Sequence, residues 1–460
     1  MQCGRCGKRC SSKKALAKHL QSAEPCPCKE GRMRRSTLLK QLGSLSIKKQ
    51  QKGGGSGFEF ICLGGYGGVC SGNLSCYLLK LNGYGKYICL DGGSPIDGIW
   101  KYNANFAPKN ASIELSIKQI DQQILSLKFQ RFTALDDNNN AEANNLLSKM
   151  IELRNYNLTY ADNYIIPENI EAFLLSHAHL DHIAGYIIAT AGFHIPKQIV
   201  ANSDVISVLD THIFNNKIWP AVLKPQIIEV TKENNIKLID DKVIVSYIPV
   251  KHGDYDNSSA FFITEIEGSD TVLYFGDVSN KPHKTLQTNT NAETQLNSVW
   301  DKAADYVIKK TLRAIFIECA YKKNTSKLFG HLDPDQLEVV LNNFLLKINQ
   351  KSSQDSKPIS SLPILPGQIP ANTKVKPLQD ISLVVTHLKP DNFDDITGMN
   401  TIVSQLNFIE SKFGMKLVVP KQCDRYRLDK DGPKCIKSIC KDKIPFNMTK
   451  PDAMPPPEFC

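Results

Sequence analysis

The sequence predicts a mixed α/β protein whose chemistry sits where strands end. Three observations lead there. Short apolar runs of strand length recur along the chain, several of them closing on a histidine or an aspartate. One long segment has helical periodicity instead. Three of only ten histidines in 460 residues fall between His177 and His182.

The elements follow in order. Residues 1–28 form a small cysteine-rich unit. Residues 29–57 are a basic linker that ends in Gly53-Gly54-Gly55-Ser56-Gly57, flexible by composition. Phe58–Leu63 reads as a strand and leads into a glycine-rich turn from Gly64 to Gly72. Leu74–Leu81 and Tyr87–Leu90 read as two more strands, with Asn82-Gly83 as hairpin punctuation. Residues 101–165 are polar and Asn-rich and read as a helical insertion, partly loop. Ala172–Leu175 and Thr271–Phe275 are short strands ahead of the histidine cluster and of Asp277.

The helix is marked by Leu337, Val340, Leu341, Phe344, Leu345 and Ile348 at helical spacing. Asp333 supplies its N-cap, Pro334 its first position and Gln336 its third. Residues 351–378, rich in Ser and Pro, read as a long surface loop. The main domain is expected over 58–419, and 420–460 as a weakly structured tail.

Bulk properties narrow the class. A chain of 460 residues suits one large domain with appendages, or two domains. No apolar run reaches the roughly 20 residues that span a bilayer. The start, Met1-Gln2-Cys3-Gly4-Arg5, lacks the apolar core of a secretory signal. The expectation is a cytoplasmic protein, with the nucleus also open, and no membrane partner. The fourteen cysteines then read as thiols and metal ligands rather than disulfides. Residues 1–57 hold fourteen Lys/Arg against Glu24 and Glu30, so this arm carries +12 of a net +10 and the remainder −2. A near-neutral main domain argues against a surface built to track a nucleic-acid backbone.

The stretch Ser176-His177-Ala178-His179-Leu180-Asp181-His182-Ile183-Ala184-Gly185 carries the strongest signal. His177 and His179 are two apart, so in extended chain both side chains point the same way and can serve one ion. Asp181 and His182 follow where the chain turns and can serve a second. His252, Asp277 and His387 each follow an apolar strand. Seven such ligands suit two ions with a carboxylate between them and a shared water.

This pattern resembles the metallo-β-lactamase fold superfamily and, within it, the class II cyclic-nucleotide phosphodiesterases. Their signature, His-x-His-Leu-Asp-His-aliphatic-x-Gly, is matched from His177 to Gly185; in the aliphatic stretch and small polar residue that follow it, Tyr186 and Thr190 depart from the usual residues. Leu63–Gly68 resembles the family's opening turn, Leu90-Asp91-Gly92-Gly93 the superfamily's Asp-x-Gly turn, and Ile317–Cys319 with Leu328–Leu332 its late histidine block. The resemblance implies a four-layer αβ/βα sandwich over roughly 58–419.

It also implies roles. His177, His179 and His252 would hold one zinc, and Asp181, His182 and His387 the other. Asp277 would bridge them, and Asp91 would support the metal site. His331, just upstream of a helix N-terminus, would be the general acid or transition-state stabiliser. Glu318 could partner a histidine of the site. The glycine turn by itself is weak evidence, since it lacks a phosphate-loop lysine. The implied reaction is hydrolysis of cyclic AMP or cyclic GMP to 5′-monophosphates by a hydroxide shared between two zincs, with Asp181 indispensable.

At the N-terminus, Cys3, Cys6 and His19 have the spacing of the first three ligands of a zinc finger, and Cys26 or Cys28 would complete a structural zinc site. One finger with a basic linker could contact nucleic acid or protein weakly. Two alternatives stay open: a two-zinc nuclease resembling the tRNA 3′-end processing endonucleases, and a finger-bearing adaptor without activity.

Overall fold

The structure, a computed structural model, describes residues 57–439 except 69–70, 107–121, most of 122–163, 194–196, 222–225, 232–233, 254–255, 281–290, 356–377 and 391–396. The expected finger ligands Cys3, Cys6, His19 and Cys26, the linker before Gly57 and the chain after Ile439 lie outside the described residues.

The described strands make two sheets. The first contains β1 (Phe58–Gly64), β2 (Cys76–Leu81), β3 (Tyr87–Leu90), β4 (Ile170–Leu174), β5 (Gln198–Ala201) and β6 (Gln226–Glu229). The second contains β7 (Ile236–Leu238), β8 (Val243–His252), β9 (Asp256–Glu265), β10 (Thr271–Phe275), β11 (Leu312–Glu318), β12 (Ser382–Thr386) and β13 (Lys416–Val418). The chain then returns to the first sheet as β14 (Arg425–Asp429) and β15 (Gly432–Lys437). The orders are β15-β14-β1-β2-β3-β4-β5-β6 and β13-β12-β11-β10-β9-β8-β7. Strands β3 to β6 run parallel, as do β10 to β13.

The described helices are α1 (Pro95–Phe106), α2 (Leu180–Ala189), α3 (Ser203–Val208), α4 (Asn291–Ile308), α5 (Pro334–Asp355) and α6 (Thr397–Gln405). Alternation along the strands assigns the layers. In β1, Phe58, Phe60 and Cys62 enter the core between the sheets, while Ile61 and Leu63 face the layer of α1 and α2. In β11, Ala314 and Phe316 enter the same core and Ile315 and Ile317 face α4 and α5. Phe60 and Phe316 meet edge to face at 4.9 Å across the two sheets. On the far side Trp300 of α4 packs at 4.7 Å from Phe344 of α5. The result is the expected αβ/βα sandwich. Because β10, β11 and β12 are covered on both faces, they read as largely apolar runs, broken within β11 only by the buried Arg313.

Several expected boundaries shift. The second strand starts at Cys76 rather than Leu74, because Leu74 is held away from the ladder by Ser94, whose hydroxyl accepts its N–H at 2.9 Å. Asp333 caps α5 as expected, accepting from the Gln336 N–H at 2.8 Å, but the helix runs on to Asp355. Its last turns, Asn349–Asp355, carry no apolar stripe, and Gln350, Lys351 and Gln354 among them are good helix formers. Of the expected loop 351–378, residues 356–377 lie outside the described ones. The insertion is mostly helical where it is described between 122 and 149. The expected weak tail is corrected over 425–437. There β14 pairs with β1, and the buried Glu59 carboxylate accepts from both Arg425 and Arg427. That pairing joins residues more than 360 apart, which no local pattern announces.

Candidate metal centre and active site

The parallel strands deliver their C-terminal ends to one rim of the sandwich, where ligands gather in open α/β sheets. His177 and His179 follow β4, with His179 as the extended N-cap of α2. Asp181 and His182 occupy the first turn of α2. His252 ends β8, Asp277 follows β10, Glu318 ends β11 and His387 follows β12.

The structure brings all seven expected ligands together. His177, His179, His252 and Asp277 form one group, and Asp181, His182 and His387 another; within each, potential ligand atoms lie within 4.8 Å of one another. Asp277 sits at the centre. Its Oδ1 is 3.3 Å from His182 Nε2, and its Oδ2 is 3.3 Å from His387 Nε2 and 3.6 Å from both His177 Nε2 and His252 Nε2.

Chemistry favours cations here. Asp277 is 1% exposed, yet neither carboxylate oxygen accepts a hydrogen bond among the described residues. His182 Nε2, which faces Asp277, is likewise buried without a partner among the described residues. Buried polar atoms are ordinarily satisfied, so three orphaned atoms facing one another in one cluster fit a site for divalent metal. Burial pushes His387 down to about 4 and holds His177 and His252 below the usual imidazole range. Their ring nitrogens therefore present lone pairs, the form that binds metal. Burial alone would raise Asp277, but His387, His182 and His331 outweigh it and keep the carboxylate charged.

Other residues hold these ligands in place. Asp91, fully buried, accepts from the Ser176 N–H at 2.7 Å, the Ser176 hydroxyl at 2.9 Å and the Tyr274 hydroxyl, and contacts His182 Nδ1 at 2.7 Å. It thus orients His182 from behind. Both Asp91 and His387 adopt left-handed backbone, φ 56° and 57°, the kind of strain that clusters at functional sites. Gly276 lets the sheets meet: a Cβ there would lie 2.3 Å from the Ser176 side chain. Gly185 admits α2 to the Asp91 turn, since its Cβ would lie 2.3 Å from Gly93 O.

A third group, His252, Asp277, Glu318 and His331, overlaps the first. Glu318 differs from Asp277 in being hydrogen-bonded already. Its Oε1 accepts from the Val278 N–H at 2.7 Å, and its Oε2 lies 2.9 Å from His331 Nδ1. It therefore reads as a positioning carboxylate, with His331 Nε2 left to face outward, 2.8 Å from Lys389 Nζ.

Two contributors escaped the sequence reading. The glycine turn, weak as a motif, reaches the centre: Gly68 N–H donates to Asp181 Oδ2 at 3.0 Å, and a Cβ on Gly67 would lie 2.1 Å from the His387 ring. Lys389 belongs to no motif in the sequence. Its only sequence signal is its place two residues after His387, beyond a strand end.

Comparison with known proteins decides the family. The model of the cAMP phosphodiesterases class-II matches residues 107–422, a stretch holding all seven expected ligands and His331. The chain belongs to this family. Among relatives, a Yersinia pestis protein described as a probable 3′,5′-cyclic-nucleotide phosphodiesterase is 26% identical over 403 residues, covering 85% of this chain and 95% of that one. A Schizosaccharomyces pombe 3′,5′-cyclic-nucleotide phosphodiesterase is 26% identical over 370 residues, covering 78% and 89%. The crystal structure of unliganded yeast PDE1 superposes with a TM-score of 0.55 at 18% identity, covering 81% of this chain and 99% of that one. That likeness shows a shared fold. Among the described residues no helix is long and apolar enough to cross a membrane.

Proposed function

We propose that this class II enzyme hydrolyses 3′,5′-cyclic nucleotides to nucleoside 5′-monophosphates at a pair of zinc ions. His177, His179 and His252 would hold one ion, Asp181, His182 and His387 the other, with Asp277 between them. The observation that carries the reading is the buried Asp277 carboxylate, ringed by imidazoles and without a hydrogen bond among the described residues. Bound there, the ions would supply Lewis acidity and a water acidified from about 15.7 toward about 7.

The chain's own residues do the rest. Asp91 holds His182, and the Gly68 amide holds Asp181, so the ligand set is rigid before substrate arrives. The leaving 3′ alkoxide needs a proton, and His331 Nε2 is the group that supplies it. Burial opposes charge on His331, but Glu318 and Asp277 outweigh it and raise its pKa. That favours the protonated ring a general acid requires. The near-neutral main domain and the family match favour a small substrate over the tRNA-processing alternative. A structural zinc on Cys3, Cys6, His19 and Cys26, a weak nucleic-acid or protein contact through the basic arm, and a cytoplasmic or nuclear location belong to the same proposal.

The test is turnover of cyclic AMP and cyclic GMP by metal-loaded protein, with His331→Gln beside the wild type. We expect His331→Gln to lower kcat by about 10²–10⁴-fold at unchanged metal content. Equal turnover by the variant would remove His331 from the chemistry.

A further inference from the structure

We infer that Lys389 is the substrate's phosphoryl-binding residue. Its ammonium is 2.8 Å from His331 Nε2, the nitrogen assigned to the leaving oxygen. It also lies 5.7 Å above the Tyr321 ring, which packs 5.8 Å from His331. The backbone is anchored, with the Lys389 N–H donating to Ala320 O at 3.1 Å. Lys389 thus stands on the same rim as the proton donor, tethered at its base and directed by an aromatic face.

A purely structural role explains this placement poorly. A lysine that only supported the fold would not need its charged end directed at the buried His331 imidazole beside the metal-ligating cluster. Four carboxylates line this centre, Asp91, Asp181, Asp277 and Glu318, and two divalent ions would balance them. Lys389 is then surplus positive charge, and a cyclic phosphodiester brings the single negative charge that matches it. A lysine ammonium binds phosphate as a point charge on a flexible stem. In the free protein His331 Nε2 accepts from Lys389 Nζ; on substrate entry Nζ turns to a non-bridging phosphoryl oxygen, and the freed Nε2 takes up a proton from water. That exchange leaves Nε2 facing the 3′ oxygen.

The inference rests on the cyclic-nucleotide reading, and one experiment separates the two. Metal-loaded wild type, Lys389→Met, Lys389→Arg, His331→Gln and the double variant with Lys389→Met are assayed on cyclic AMP, and 5′-AMP binding is measured by calorimetry. Metal content and melting temperature serve as fold controls. We expect Lys389→Met to weaken 5′-AMP binding and kcat/KM by about ten- to a hundred-fold, the loss of one charge-assisted contact. Lys389→Arg, which keeps the charge, recovers most of it. The loss of 5′-AMP affinity persists in the His331→Gln background, because the contact is with phosphate and not through the histidine. Wild-type turnover with unchanged 5′-AMP binding in Lys389→Met overturns the inference alone, as does an effect that vanishes in His331→Gln. No wild-type turnover overturns the cyclic-nucleotide reading and the inference with it.

Discussion

Asp91→Ala is the perturbation whose size the structure lets us work out. Asp91 serves four partners: the Ser176 amide and hydroxyl, the Tyr274 hydroxyl and His182 Nδ1. All are buried. Burial and the neighbouring Asp91 carboxylate push the Tyr274 hydroxyl well up, so it stays a donor throughout the ordinary pH range. Each donor left unserved in the interior costs about 1–3 kcal/mol. The Ser176 hydroxyl can turn to His177 Nδ1, 3.0 Å away, so its loss is cushioned. Three orphans remain, and water entering the space recovers part of their cost. A net loss of about 3–6 kcal/mol is expected, a large share of the ~5–15 kcal/mol that holds a domain folded. Metal affinity should fall by about 10–100-fold as His182 loses its orienting partner. Urea unfolding in chelator isolates the fold term, and competition titration with a metal indicator gives the second. Unfolding within 0.5 kcal/mol of wild type, with unchanged metal affinity, would refute the role assigned to Asp91.

Three further outcomes follow from the packing. Gly276→Ala places a methyl against Ser176 of the opposing sheet, so overpacking of about 1–3 kcal/mol and weakened metal binding should appear together in denaturation and metal titration. Trp300→Ala empties a fully buried site against Phe275 and Phe344, and unfolding should show a loss of about 3–5 kcal/mol with the metal ligands untouched. Burial opposes charge on Glu59, but Arg425 and Arg427 outweigh it and hold the carboxyl below its usual range. Its contribution is therefore full above the unfolded pKa of about 4.3 and is lost as pH falls through the lower folded value. Urea midpoints of Glu59→Gln and wild type should differ at pH 7 and converge in acid.

What the sequence disclosed was what is local. Tyr87–Leu90 and Thr271–Phe275 stand as strands with the boundaries their apolar runs suggest, because both are buried on two faces and bounded by turns. The Asp333 cap was legible because capping joins residues three apart. The tail was misread because β14 and β15 owe their order to β1, at the other end of the domain. The glycine turn was undervalued for a related reason. Gly67 is set by the ring of His387 and Gly68 by a carboxylate 113 residues away, contacts that only the fold creates. Lys389 has no motif at all, and only the closeness of β11 and β12 sets it beside His331.

Asp277 would lie between two divalent ions at a site that hydrolyses a cyclic nucleotide. Metal stoichiometry by mass spectrometry, read with turnover of cyclic AMP and cyclic GMP, tests it most directly in wild type and Asp277→Asn. We expect turnover to the 5′-monophosphate that rises with metal loading, and an Asp277→Asn protein that stays folded, loses metal and is inactive. Fully loaded wild type that turns over neither nucleotide, or an Asp277→Asn protein that keeps both metal and activity, would contradict it.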